Sequence, residues 1–329
     1  MPQPSTYENN VTSIPGWTPG QPDLPLGYAY ETPDFNIHLF GEDSGWWTIS
    51  PGLTFWEQKH KSLADWTRDS FGAALMSPMH HEAGVVVKGV WRPGLLRHED
   101  VRQAFGITES QRRSAEQTLY LLLDALQALF LVVEPEPAGL SAYGPRMREL
   151  LILACTEVED GWSHFLRAAG RSAGARGWST NDYVALKDKL YLSEYQLSLQ
   201  PYANVPAARP FDGWDPARPT ASLDWYNAYN KTKHDRSGSL NQATLYRCIQ
   251  AVAANVVLFC VRFSPFPLYA QNTPVASLAS HLFRLDLIDC DPVTFYVPLV
   301  APPVGSGSSI TYGDSSPFHQ PWQAKALVV

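Results

Sequence analysis

The segment DWYNAYNKTKHDR, residues 224–236, places one histidine among amides and basic side chains. At about 100° per residue, a helix puts four of these polar side chains on one face, at Asn227, Asn230, Lys231 and His234. The imidazole of His234 titrates near neutral pH and can move protons, and the Asn230 amide can hold a phosphate oxygen. These residue types predict chemistry on an anionic substrate, with His234 as the acid–base group and Asn230 positioning the phosphate.

Three basic side chains of the same segment can neutralise phosphate charge, and they are Lys231, Lys233 and Arg236. The residues expected to support this motif are Trp225, Asn227 and Tyr229. The alternative is a packing element, in which two aromatic side chains are buried while the asparagine and the histidine cap neighbouring backbone.

A second group of ionisable residues lies in the segment LILACTEVEDGWSHFL, residues 151–166. We predict that Glu157 or Glu159 faces the helix of His234 and orients its imidazole. One alternative is a small-molecule or metal site centred on Glu157, Asp160 and His164. Another is a solvated helix face held by pairs of charges one turn apart. No metal ligand set is assigned, because the spacing of histidines and cysteines gives no zinc pattern.

The sequence YNKTKH, followed by DR, resembles the terminal motif of HEPN-type helical domains, whose ribonuclease members carry an Arg-x4-6-His motif. Asn230 and His234 match that motif, whereas Tyr229 stands in the position of the arginine. The segment ELLILACTEVEDGW is similar to an earlier helix of such domains, in which an acidic residue supports the site. The motif is also similar to that of a group of bacterial proteins sharing a YNxxKHDR pattern.

This resemblance covers residues 143–265 and implies a mainly α protein with a helical-bundle core that dimerises. It also implies metal-independent RNA cleavage, or binding of RNA or a nucleotide, in bacterial defence or stress, and no cofactor. The alternative is a non-catalytic interaction protein, whose helical bundle forms a homodimer or docks a protein partner. The many aromatic residues, 11 Trp, 15 Tyr and 14 Phe, suit such a contact surface.

The periodicity of apolar residues predicts the elements that position these groups. We expect long helices over residues 108–133, 143–169 and 239–263, the first opened by a capping box at Thr108 and Gln111. A further helix is expected over residues 53–75, and short strands near residues 35–40, 46–49 and 195–199. The predicted organisation is an irregular arm (1–33), an α+β region packed on the bundle (34–104), the helical bundle (105–265), and a β-like extension with a flexible tail (266–329).

Composition limits the classes of partner. The net charge of −7 gives no overall attraction to nucleic acid or to an anionic membrane, so an RNA contact requires a local basic patch. The longest apolar run, residues 119–133, is shorter than the ~20 residues that a membrane-spanning helix needs. With no signal-peptide pattern at the N-terminus, we expect a cytoplasmic protein without membrane contact.

Overall fold

The computed structural model describes residues 1–9, 26–42, 48–57, 61–311 and 315–329. The strands are β1 (Ser5–Asn9), β2 (Leu26–Glu31), β3 (Phe35–Glu42), β4 (Thr48–Glu57), β5 (Ala73–Pro78), β6 (Val85–Val87), β7 (Tyr195–Leu199), β8 (Phe283–Leu287), β9 (Ser309–Thr311) and β10 (Gln323–Lys325). The helices are α1 (Leu63–Phe71), α2 (His98–Phe105), α3 (Glu109–Phe130), α4 (Pro145–Ala168), α5 (Thr180–Tyr183), α6 (Leu186–Lys189), α7 (Asp224–His234), α8 (Arg236–Ser239), α9 (Leu245–Phe263), α10 (Phe266–Tyr269) and α11 (Pro274–Leu282).

The chain divides into two compact units. The sheet unit comprises Met1–Gly106 and Cys290–Lys325, and the helical unit comprises Ile107–Asp289 and Ala326–Val329. The sheet unit is therefore built from an N-terminal and a C-terminal segment, while the last four residues belong to the helical unit.

The sheet unit is built on six antiparallel strands in the order β5-β1-β2-β3-β4-β9. Side chains of a strand alternate between the two faces of a sheet, so residues of one parity share a face. One face buries a core contributed by the sheet and by later segments: Tyr28, Tyr30, Ile37, Leu39, Leu53, Phe55, Met79, Ala83, Phe295, Val297 and Val300. The short strands β6 and β10 form a separate parallel pair.

The opposite face of this sheet carries a buried tyrosine–histidine pair. The Tyr7 hydroxyl and His38 Nε2 lie 2.5 Å apart and share a hydrogen bond. Phe71, at the end of α1, stacks on the imidazole with ring centroids 3.5 Å apart. Gly27 lies opposite Tyr7 in the strand pairing, and a Cβ there would clash with the Tyr7 ring. A glycine is therefore required for the Tyr7 ring to cross strand β2.

The helical unit is organised around α9, whose sequence is apolar on most sides and mostly buried. α3 and α4 pack against α9, α7 packs against α4 and α9, and α11 packs against α3. Among the described residues, α9 is the one helix long and apolar enough to span a membrane, and 72% of its most apolar window is buried within the protein. A buried core helix has this same composition, so its apolar character follows from its packing.

The prediction of a mainly α protein with short β decoration was wrong. The chain is 45% helical and 18% strand, and its six-stranded antiparallel sheet makes it a mixed α/β fold. Residues 1–33 were expected to be an irregular arm, yet they contribute β1 and β2, while residues 10–25 lie outside the described part. Strand pairing joins residues far apart in sequence, so short strands carry little local signal.

Several local predictions were confirmed and others were wrong. The capping box forms at the start of α3, where Thr108 accepts from the Gln111 backbone and the Gln111 side chain accepts in return. The helix expected over residues 53–75 is instead strand β4 followed by α1. α9 begins at Leu245, after the Thr244 cap, rather than at residue 239. Of the expected strands, 35–40 falls in β3 and 195–199 is β7, and residues 46 and 47 lie outside the described part.

Candidate functional site

The predicted catalytic segment forms the helix α7, and its aromatic face is buried. Trp225 donates its indole N–H to the Pro210 carbonyl at 2.8 Å, and Tyr226 and Tyr229 are almost fully enclosed. No side chain caps the start of this helix. Ser222 accepts from a backbone N–H in the preceding loop, and Asp224 pairs with Arg247 at 2.8 Å.

Two residues predicted for the site are engaged with tyrosines between α4 and α7. Glu159 accepts a hydrogen bond from the Tyr226 hydroxyl at 2.5 Å, and burial together with this bond raises the pKa of Tyr226. Lys233 donates to the Tyr229 hydroxyl at 2.8 Å, and this bond raises the pKa of Lys233. Glu159 and Lys233 therefore take part in a partly buried network of hydrogen bonds.

The remaining polar residues of α7 differ in their exposure. Lys231 and His234 are exposed, Asn227 is half-buried, and Asn230 donates its amide to the Tyr226 carbonyl at 3.1 Å. The Arg236 side chain lies outside the described part of the chain. Asn230 is thus occupied with the backbone of its own helix, which is what the packing alternative predicts.

Glu157 and Glu159 face opposite sides of α4, because two positions along a helix turn the side chain by about 200°. Glu159 contacts α7, whereas Glu157 lines a groove between α3, α4 and α9. The structure therefore does not bring Glu157 to His234. It brings Glu157 together with Asp160, the neighbouring acidic residue on the same face of α4.

The groove that contains Glu157 lies between three helices of the helical unit, α3, α4 and α9. Its volume is about 570 Å³, which lies within the range of ~300–1,000 Å³ typical of small-molecule sites. Its polar lining comes from three helices: Ser110, Gln111, Ser114 and Thr118 of α3, Glu157 and Asp160 of α4, and Asn255 and Arg262 of α9. Its apolar floor is formed by Leu119, Leu122, Phe165, Leu258, Phe259 and Phe263.

Three charged groups in this groove lack ionic partners. Within the part of the chain that the structure describes, Glu157, Asp160 and Arg262 form no ion pair, with one another or with other residues. Glu157 and Arg262 are partly buried, whereas Asp160 is exposed. A partly buried charge without a partner costs free energy, because water is displaced without replacement. Such groups are therefore expected where a ligand completes the site.

Burial shifts the pKa values of Glu157, Arg262 and the neighbouring His164. Burial, and then the adjacent Asp160 carboxylate, raise the pKa of Glu157. Burial lowers the pKa of Arg262, and the nearby Asp160 offsets part of that change. One turn beyond Asp160, burial and the positive charge of Arg262 lower the pKa of His164 to about 4, so this histidine is neutral at pH 7.

The polar lining of the groove also contains an amide and two hydroxyl groups, and the fold uses only some of their hydrogen-bonding atoms. Asn255 donates its amide to the carbonyls of Ala154 and Ala251, both at 2.9 Å, which directs its side-chain N–H groups into the protein. Among the described residues, the hydroxyls of Ser114 and Thr118 make no side-chain hydrogen bond. The groove thus combines charged, hydroxyl and amide groups above an apolar floor.

Two residues of the groove, Asn255 and Arg262, were not predicted from the sequence. Both interrupt the apolar run AVAANVVLFCVRF, residues 251–263. A polar side chain within an otherwise apolar core helix is costly unless it has a partner or a function, so these interruptions were the available signal. The proximity of Arg262 to Asp160 could not be predicted from the sequence, because it depends on the packing of α4 on α9.

The described residues hold no group of three histidine, cysteine, aspartate or glutamate side chains placed to bind a metal ion. The alternative of a metal centre at Glu157, Asp160 and His164 therefore has no support from the geometry.

Comparison with known proteins gives no relative from which a function can be transferred. No family model, curated protein or solved structure matches this chain. The prediction of a HEPN-like domain was wrong. Neither the comparisons nor the six-stranded antiparallel sheet gives a positive sign of that fold.

Proposed function

We propose that the helical unit binds a small polar organic molecule in the groove formed by α3, α4 and α9. The observation that carries the proposal is the presence of Glu157, Asp160 and Arg262 in one groove without ionic partners among the described residues. A ligand with complementary groups would compensate all three charges at once. The apolar floor beneath them adds burial of the ligand's carbon skeleton.

A bulky residue placed in the groove tests this function. Ser114 is exposed and lines the groove, so Ser114→Trp should fill the site without disturbing the core. Asp124→Trp is the matched control, because Asp124 is exposed on the same helix and lies outside the groove. The assay is a thermal-shift screen of polar metabolites against the full chain and both variants.

The expected result is that at least one compound raises the melting temperature of the unmodified chain and of Asp124→Trp, but not of Ser114→Trp. Binding that stabilises the folded state raises the midpoint by mass action. A compound that stabilises all three proteins equally would place its site elsewhere. If no compound stabilises the unmodified chain, the proposal fails.

Action on RNA is the second candidate function. Its support is the exposure of Lys231, Lys233 and His234 in the last turn of α7, where a local basic surface is available despite the negative net charge. The test is cleavage of labelled RNAs in EDTA by the full chain, by His234→Ala and by a control with exposed His281 changed to alanine. Loss of cleavage in His234→Ala alone would support it, and absence of cleavage by the unmodified chain would end it.

The expected homodimer or protein partner also stays a proposal. Its support is the exposure of several apolar side chains in the C-terminal half of α3 and just beyond it, including Leu121 and Leu131, which are 62% and 84% exposed. Light scattering of the unmodified chain beside Leu121→Lys tests the dimer. A monomeric mass for the unmodified chain at high concentration would contradict it.

A further inference from the structure

The charges of the groove favour a cation over an anion. Two carboxylates, Glu157 and Asp160, share the groove with one guanidinium, that of Arg262, so one negative charge is in excess. His164 does not alter this balance at neutral pH, because burial keeps its imidazole neutral. A ligand with a single positive charge would leave the groove electrically balanced.

The spacing of the carboxylates suits an ammonium group. Glu157 and Asp160 lie three positions apart on α4, where side chains of one helix face are neighbours. An ammonium group donates three hydrogen bonds and can contact both carboxylates, which removes their mutual repulsion. A guanidinium such as Arg262 would then remain available to an oxygen atom elsewhere on the same ligand.

The wall formed by α3 suits hydroxyl groups. Ser110, Ser114 and Thr118 recur every fourth residue, so their hydroxyls follow one side of the helix along the groove. A hydroxyl both donates and accepts hydrogen bonds, and therefore matches these side chains and the carbonyl oxygen of Asn255. A ligand with several hydroxyls would satisfy more of this lining than a simple amine.

The aromatic side chains of the groove suit the carbon skeleton of such a ligand. Phe165, Phe259 and Phe263 line the groove below the polar rim, and they offer apolar surface to the C–H groups of a ring. We propose that the groove takes a hydroxylated cyclic amine, of which an amino sugar is the simplest example, with its ammonium group at Glu157 and Asp160. This inference rests on the proposed function, since it names the ligand class of the same site.

Three small probes of similar size separate the contributions of the amine and the hydroxyls. Glucosamine carries both, glucose lacks the amine, and cyclohexylamine lacks the hydroxyls. Isothermal titration of the full chain at about pH 6.5 keeps the amines protonated, since amines of this class titrate near pH 8 or above. We expect glucosamine to bind at least about tenfold more tightly than either of the other probes, a difference of about 1.4 kcal/mol.

Variants on α4 locate the ammonium site. Glu157→Gln and Asp160→Asn keep the shape of each side chain and remove its charge, so each should weaken glucosamine binding about tenfold. Glu149→Gln is the control, because Glu149 is exposed on the same helix, pairs with Arg146 and lies outside the groove. It should leave binding unchanged. Circular dichroism of each variant confirms that the fold is retained.

Several results would overturn the inference. If glucose binds as tightly as glucosamine, the ammonium group does not contribute to recognition. If cyclohexylamine binds as tightly as glucosamine, the hydroxyl groups do not contribute. An equal effect of Glu157→Gln and Glu149→Gln would place the ligand outside the groove. Binding of none of the three probes would refute the ligand class. The proposed function is judged separately, because the screen with Ser114→Trp uses other compounds.

Discussion

Replacement of the buried His38 tests how the sheet unit depends on pH. Burial lowers the pKa of His38 to about 3, from 6.5 in an unfolded chain. Tyr7, which shares its hydrogen bond, does not titrate in this range because burial raises its pKa, and the Phe71 and Trp66 rings beside it carry no charge. Protonation of His38 would therefore place a positive charge in an apolar setting.

The sign of the effect follows from the two pKa values. Above pH 6.5 the imidazole is neutral in both states, and the full stability is present. Between pH 6.5 and about 3 the unfolded chain binds a proton that the folded chain does not, so stability falls as the pH falls. The slope is about 1.4 kcal/mol per pH unit, and the whole difference corresponds to about 5 kcal/mol as an upper limit.

The variant His38→Gln keeps a hydrogen-bond acceptor for Tyr7 and removes the titrating group. Hydrogen–deuterium exchange of peptides from β3, from about pH 7 to pH 5, reports the opening free energy of the sheet unit alone. Comparison at the same pH cancels the intrinsic pH dependence of exchange. We expect the unmodified chain to lose about 1 kcal/mol more per pH unit than the variant at the lower end of this range.

A control variant, His281→Gln, changes an exposed histidine of the helical unit and should leave the β3 slope as it is. Equal slopes for the unmodified chain and His38→Gln would refute the reasoning, because they would mean that His38 does not exclude a proton from the folded state.

Three further substitutions probe individual contacts. Thr108→Ala removes the cap of α3 and should cost about 1 kcal/mol, seen as a fall of about 2–4 °C in the melting temperature; an unchanged midpoint would contradict the capping box. Gly27→Ala places a methyl group against the Tyr7 ring and should cost about 1–3 kcal/mol in urea unfolding, whereas a neutral result would mean that the ring moves freely. Tyr226→Phe removes the hydroxyl that donates to Glu159 and should cost about 1–3 kcal/mol, measured in the same way; a stability equal to that of the unmodified chain would show that water replaces the bond.

The three long helices of the helical unit were determined largely by local sequence. The capping box at Thr108, the apolar spacing of residues 145–168 and the run of apolar residues 245–263 each specify a helix within one continuous segment. A helix closes its hydrogen bonds between residues four apart, so its signal is contained in neighbouring residues. The start of α9 was misplaced because the preceding residues 236–242 form short helical turns of their own.

The sheet was decided by tertiary structure. Strand β9, residues 309–311, joins the edge of β4 across most of the chain length, and β1 pairs with both β2 and β5. A strand satisfies its backbone only through a partner, and nothing in a short segment says which partner it finds. The expectation of a helical bundle with β decoration failed for this reason.

The candidate site shows the same division between local and tertiary information. The sequence identified Glu157 and Asp160 as acidic residues on one face of a half-buried helix, and the structure places both in the groove. The prediction that Glu157 or Glu159 faces the helix of His234 left the choice open, because helical periodicity gives the relative direction of the two side chains but not which neighbour each one meets. The packing of α4 against α7 and α9 decided these contacts. It places Glu159 in contact with Tyr226, and it places Glu157 and Asp160 in the same groove as Arg262.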